Sequence, residues 1–226
     1  MQRYKGLLAV WTDIPADLDY DFNEWYNREH MHERIIGVPG FIRGRRFVAF
    51  SGAPRYLAVY EARSSDVLRS EPYRALVRNP DALSRRFIPK FQNTMKAIGD
   101  LTVDQGEAEG AVVGVVPVVR AVGRGETFGS WLAESLFPAL LRSHGVVAAH
   151  FCEKNREILS AGTSEHMRPT DKYLDALLMV ETASEADLEA VLRLIKPQEF
   201  AAHGGELDGE VRRLRVIYTL HVPLPD

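Results

Sequence analysis

Between Trp25 and His32 the sequence reads WYNREHMH, so one carboxylate (Glu29) and two imidazoles (His30, His32) lie close together beside two large aromatics. Histidine titrates near neutrality and a desolvated glutamate can be tuned toward the same range, so this set suits general acid/base chemistry. If 21–36 is one regular helix, advancing about 100° per residue from Phe22 at zero puts Trp25 near 300°, Tyr26 near 40° and Ile36 near 320°. These three define an apolar stripe. Glu29 falls in its middle at about 340°, with Glu33 at about 20°, His30 at about 80° and His32 at about 280°. A carboxylate on an apolar face must find a partner or keep its proton. Two readings stay open. Glu29 with His30 or His32 forms an acid/base set in a pocket between helix and sheet, or Glu29 pairs with Arg43 or Arg45 and the histidines sit half exposed.

Other chemistries find less support. On a helix, His30 and His32 point about 200° apart and cannot grip one ion. No Cys pair or His-Glu-x-x-His motif occurs, so no metal is expected. The remaining histidines (His144, His150, His166, His203 and His221) are scattered and read as structural or surface groups rather than haem ligands. Gly-rich nucleotide loops and a Gly-x-Ser-x-Gly elbow are missing, and no cofactor is expected. Trp11, Trp25, Tyr26, Tyr60 and Phe91 either line an apolar pocket for a flat ligand or fill a core, while Arg43 or Arg45 is placed to hold a carboxylate or enolate.

These residues need a scaffold, and the chain supplies it twice. Tyr4–Thr12 reads as a strand, Asp17–Arg34 as a helix, and Gly40–Ser51 with Arg55–Arg63 as a hairpin across Gly52-Ala53-Pro54. A helix capped by Ser64 or Ser65 runs to Val77, a second helical piece from Asp81 to Lys96, and a strand from Ala97 to Gln105. After the small acidic linker Gly106–Gly110 the order recurs. Ala111–Ala121 is a strand, Thr127–Ser143 a helix, and Gly145–Glu153 with Lys172–Glu181 two strands joined by the polar loop Lys154–Asp171. Ser184–Ile195 is a helix with a capping box at Ser184 and Asp187, and Val211–Val222 is the last strand. Phe22-x-x-Trp25 is matched by Phe128-x-x-Trp131. The expected fold is therefore α+β: two tandem βαββαβ ferredoxin-like units, 1–106 and 107–226, packed sheet to sheet. Strands apolar on both faces (Leu7, Ala9, Trp11; Leu57, Val59; Val216, Tyr218, Leu220) fit burial on both sides. In this alignment Glu29, His30 and His32 face Ser135, Leu136 and Pro138, so one working site per chain is expected, in the first unit.

Composition limits the partners. The 226 residues carry 28 basic and 31 acidic groups, a net charge of −3, and 46% hydrophobic residues, ordinary for a globular protein. Nucleic acid is not an expected partner. No apolar run approaches membrane-spanning length, so no membrane partner is expected. The single cysteine, Cys152, lies in an apolar run and fits a reducing, cytoplasmic setting.

Asp21–Phe41, DFNEWYNREHMHERIIGVPGF, resembles the dimeric α/β-barrel superfamily and within it the EthD-like group, through Trp25, Tyr26, Glu29, His30 and Val38-Pro39-Gly40-Phe41. The stretch from Pro72-Tyr73 to Asn79-Pro80 is also similar. The resemblance covers about 4–105 in sequence and 111–222 in element order only. It implies two ferredoxin-like sheets forming a barrel-like core, and a superfamily of small monooxygenases, cyclases, isomerases and haem enzymes. The leading expectation is a cofactor-free isomerase, cyclase or lyase acting on a small apolar, aromatic or polyketide-like molecule. His30 would be its acid/base, Glu29 its partner, and Trp25 and Tyr26 the pocket wall. The alternatives are a non-catalytic binder of a hydrophobic molecule, or a haem-dependent or oxygen-using member of the superfamily. Homo-oligomerisation through sheet edges or helices is a further expectation.

Overall fold

The computed structural model describes residues 5–121, 125–160 and 170–223. His166 and most of the predicted loop 154–171 lie outside or at the border of these residues. Strand β1 (Gly6–Asp13) leads through a 3-10 turn into helix α1. Helix α1 is α over Asp19–Trp25, a π-turn over Tyr26–His30, and α again over Met31–Ile35. Strands β2 (Phe41–Ala49) and β3 (Tyr56–Ala62) follow as the predicted hairpin. Ser64 caps a 3-10 turn over Ser65–Arg69, then come α2 (Glu71–Arg78), α3 (Ala82–Phe87) and β4 (Gln92–Gly106). The predicted helical piece 81–96 therefore ends early. Pro89 sits in a 3-10 turn over Ile88–Lys90, and the chain turns extended from Gln92.

The second half begins with β5 (Val112–Arg120). Helix α4 is α over Gly125–Trp131, π over Leu132–Leu136 and α over Phe137–Leu141. Next come β6 (Val146–Lys154), α5 (Arg156–Ser160), β7 (Lys172–Tyr173), β8 (Ala176–Thr182) and α6 (Glu185–Leu192). The chain ends with α7 (Pro197–Ala202), β9 (Gly205–Leu207) and β10 (Arg212–His221). The short α5, β7, α7 and β9 escaped the sequence pattern. The Ser184 cap is present, its hydroxyl accepting from the Asp187 amide at 3.2 Å.

Eight strands close into a barrel. The order β1-β3-β2-β10-β5-β8-β6-β4 returns to β1 through the β1–β4 pairing. In each half the first strand lies between the third and the last, with the second strand at the edge. The halves join edge to edge, β10 against β2 and β4 against β6, both antiparallel. Inner faces of both sheets meet in the barrel interior, and the hydrogen-bonded edges, which the sheet-to-sheet expectation did not include, satisfy backbone groups along both seams. Alternation sorts the strand residues into layers. Leu7, Ala9, Trp11, Leu57, Val59, Val113, Val115, Leu177, Met179 and Cys152 fill the barrel interior. Leu8, Ala58 and Tyr60 face the helices of the first half, and Val116, Leu178 and Val180 those of the second. Cys152 is buried, and burial pushes its thiol pKa up, as suits a core residue.

One end of the barrel interior is charged. Arg45 donates to Glu181 at 2.6 and 2.7 Å and to Glu61 at 3.0 Å. Arg43 also pairs with Glu61, and with Glu109 of the linker. His150 bridges Asp104 (2.6 Å) and Glu181 (2.9 Å), and the Gly110 amide donates to Glu181 at 2.8 Å. Burial works against the His150 charge, but Asp104 and Glu181 push its pKa up to about 9. Burial likewise opposes ionisation of Glu181, yet Arg45 and His150 hold it well below the usual carboxylate range. Such a cluster tolerates burial only because its charges answer one another.

Candidate functional site

The π-turn decides which side chains enter the space between helix and sheet. A π-turn adds one residue to a turn, so every later position falls back by about 100°. His30 then moves from a shoulder to about 340° and Arg34 to about 20°, the centre of the apolar stripe. Accordingly His30 and Arg34 are buried, whereas Glu29 and His32 are exposed and Ile36 is 39% exposed. The placing of Glu29 in the buried stripe is corrected by this shift, as is that of Ile36.

His30 and Arg34 line a cavity that encloses about 80 Å³ and widens toward an open mouth. Tyr26 from α1 and Tyr60 from β3 form its floor, with the Tyr60 hydroxyl donating to the Tyr26 oxygen at 2.8 Å. Leu8 and Ile98 from β1 and β4 supply apolar wall, and Tyr73 and Val77 of α2 the opposite side. Phe91, Lys96 and Tyr173 surround the mouth, so the second half contributes a residue to a pocket of the first. Burial raises the pKa values of Tyr26, Tyr60 and Tyr73, so all three phenols keep their protons.

Arg34 fixes the state of His30. Its Nη1 lies 3.0 Å from His30 Nδ1 and 3.2 Å from the His30 carbonyl oxygen. Guanidinium is donor-only, so Nδ1 is the acceptor and the ring proton sits on Nε2. The partner of His30 is thus Arg34, not Glu29. The Trp25 ring is 4.3 Å from the His30 ring and stacks on Phe87 at 4.9 Å, holding the imidazole from behind.

The other expected residues stand apart. Trp11 lies in the barrel interior, its indole N–H donating to the Pro54 carbonyl at 2.8 Å. Arg43 and Arg45 are spent in the interior charge cluster, so neither pairs with Glu29 nor reaches the cavity. Of the predicted set, Tyr26, His30, Tyr60 and Phe91 line the cavity, and Trp25 supports it. Arg34, Tyr73, Lys96 and Tyr173 were missed. Arg34 carried a usable signal, because it stands four residues after His30 and shares its face in any helix.

No family model matches the chain, and no curated protein sequence matches it. Solved structures do. A candidate monooxygenase from Lactobacillus acidophilus NCFM superposes with a TM-score of 0.61 at 9% identity, over 97% of both chains. An anthrone oxidase-like protein gives 0.59 at 12% identity, over 97% of this chain and 94% of the other. A chlorite dismutase variant from Candidatus Nitrospira defluvii gives 0.58 at 10%, over 96% and 93%. At these identities the likeness shows the fold alone. These proteins are named as a monooxygenase, an anthrone oxidase-like protein and a chlorite dismutase, names of oxidative chemistry. That overturns the leading expectation of a cofactor-free isomerase, cyclase or lyase, and the geometry adds a reason: among the described residues the cavity lining holds no carboxylate base, and His30 Nδ1 is already engaged.

Haem does not fit the His30 cavity. An axial histidine needs a free ring nitrogen, with its other N–H given to an acceptor. His30 has the reverse arrangement, with a donor on Nδ1 and the proton on Nε2. His150 uses both nitrogens inside the barrel. The enclosed 80 Å³ is also far below the roughly 300–1,000 Å³ of pockets for drug-sized ligands.

Proposed function

We propose that this protein is an oxygen-using oxidase or monooxygenase acting on a small aromatic molecule in the His30–Arg34 pocket. One observation carries the reading: an apolar cavity whose polar groups are nearly all hydrogen-bond donors. The His30 ring, the Arg34 guanidinium and the buried phenols line the cavity and offer charge stabilisation where negative charge develops. Oxidation of an easily ionised substrate by dioxygen has that need, because both the deprotonated substrate and reduced oxygen are anions. In the balanced reaction an activated CH2 becomes C=O and dioxygen supplies two oxygen atoms. One enters the product and the other leaves as water with the two hydrogens, the substrate giving all four electrons. Among the described residues the pocket has no strong base, so the substrate must ionise at low cost. Similarity of fold to proteins named for oxygen chemistry supports the same class.

The finer architecture is part of the proposal. Two ferredoxin-like units, 1–106 and 107–226, are supported by the repeated strand order and the repeated π-turn. An EthD-like ancestry of the first unit rests on Trp25, His30 and the Pro39-Gly40-Phe41 turn. A cytoplasmic setting is supported by the single buried thiol. Self-association finds support in Phe50 and Ile217, both exposed at 39%.

Oxygen uptake with hydroxylated single-ring and fused-ring aromatics tests the reaction. Uptake matching product formation, with one labelled atom from 18O2 in the product, is expected. His30→Leu should slow it about 100-fold by removing one preorganised donor. Turnover that continues unchanged without oxygen sinks the proposal.

A further inference from the structure

Every side chain that lines the cavity is apolar, aromatic, histidine, arginine or lysine. Among the described residues two cations therefore line it, Arg34 and the Asp171-paired Lys96, and no carboxylate does. Arg34 is 8% exposed, so its charge has lost most of its water. Its polar contacts among the described residues all use one nitrogen, Nη1. These are His30 Nδ1, the His30 carbonyl oxygen and, at 3.7 Å, Glu33, which is outside hydrogen-bond range. Among the described residues Nη2 and Nε of Arg34 have no acceptor. Neither atom is fully sealed from solvent, and Arg34 lines the cavity. Glu33 is a poor counter-charge, since burial and the neighbouring Asp81 push its pKa up to about 7. Lys96 is held 2.8 Å from Asp171, which a ligand anion can replace.

A desolvated guanidinium with a free fork of donors matches a carboxylate, which accepts two parallel N–H bonds. From this arrangement we infer that the substrate is a small carboxylic acid, bound as its carboxylate on Arg34, with Lys96 drawing the anion in at the mouth and the apolar wall of Leu8, Val77 and Ile98 taking the ring or chain. The inference rests on the reading of this pocket as the oxygen-using site and adds the substrate's charge to it. It also explains why the pocket is small: an enclosed 80 Å³ suits a single ring or short chain rather than a fused-ring molecule.

The test is equilibrium binding under nitrogen, without turnover. Sodium benzoate is titrated against benzamide, a neutral molecule of the same shape. Benzoate should bind about tenfold tighter or more, as a charge-assisted pair is lost in benzamide. Arg34→Gln should abolish that preference, and Lys96→Gln should weaken benzoate about twofold to fivefold, more at low salt than at high. Equal binding of the two probes, no saturable binding of either, or a preference that survives Arg34→Gln overturns the inference. Should Arg34→Gln fail to fold, nuclear Overhauser contacts between bound benzoate and the rings of Tyr26, Tyr60 or Tyr73 decide the matter: their presence supports it and their absence overturns it. Benzoate selectivity without any oxygen uptake would leave this inference standing and sink only the oxidative reaction.

Discussion

Helices α1 and α4 are built alike and used differently. Both carry Phe-x-x-Trp, and both break into a π-turn directly after the tryptophan. In the first half the π-turn delivers Tyr26 and His30 to a cavity floored by Tyr60. In the second, the corresponding positions are Leu132, Leu136 and Val180, all buried in a filled apolar core with Phe128 and Phe200. The registers agree, since Tyr60 faces Leu8 on β1 and Val180 faces Gly114 on β5. The backbone irregularity is thus a property of the shared scaffold, and the polar residues placed on it are what distinguish a pocket from a packed core. A π-turn marks where a site can be built, and the side chains decide whether one is.

The barrel interior shows the same asymmetry in its charges. Arg45 on β2 and His150 on β6 hold matching positions, facing Val59 and Met179 across their hairpins, and both reach Glu181. Arg45→Met leaves Glu61 and Glu181 short of their shared cation and should cost about 3–5 kcal/mol in urea unfolding. An unchanged midpoint would show that the cluster does not hold the halves together. His150 should show the next effect. Its folded pKa of about 9 exceeds the ordinary 6.5, so its contribution is fully present below pH 6.5 and is lost as pH rises through 9. The loss is about 3 kcal/mol for such a shift. His150→Gln should flatten stability across this window, and a slope that persists assigns it elsewhere. Arg45 does not titrate there, so the two matched sites separate cleanly.

Smaller effects sharpen the comparison of the helices. Leu136→His places an imidazole in the filled core without an arginine beside it and should destabilise by about 1–3 kcal/mol while creating no second binding site. Benzoate stoichiometry above one per chain in that variant would mean the second half needs only a polar residue to become a site. Smallest is the cap difference. Ser184→Ala should cost about 1 kcal/mol and Ser64→Ala less, because Ser64 caps only a 3-10 turn. Paired thermal melts compare them.

Much of the scaffold was legible. The order of the main strands and helices along the chain, the hairpin 40–63 and the cap at Ser184 follow from alternation and turn residues, which are local signals. The matching Phe-x-x-Trp already pointed to related helices. His30, Tyr26, Tyr60 and Phe91 line the cavity. The fate of Glu29, Arg43 and Arg45 was not legible. A helical wheel assumes constant winding, and one extra residue in a turn exchanged Glu29 for His30 on the buried face and brought Arg34 in with it. Arg43 and Arg45 alternate with strand residues that face inward, and what they meet there, Glu61 and Glu181, lies on strands brought opposite only when the barrel closes. Sequence by itself fixed which segments are strands and helices and which residue types could do chemistry, because those depend on neighbours along the chain. Tertiary structure alone decided which carboxylates answer which arginines, which histidine faces a cavity, and that Tyr173 completes a pocket in the other half, because such pairings depend on winding and on closure between residues far apart in the chain.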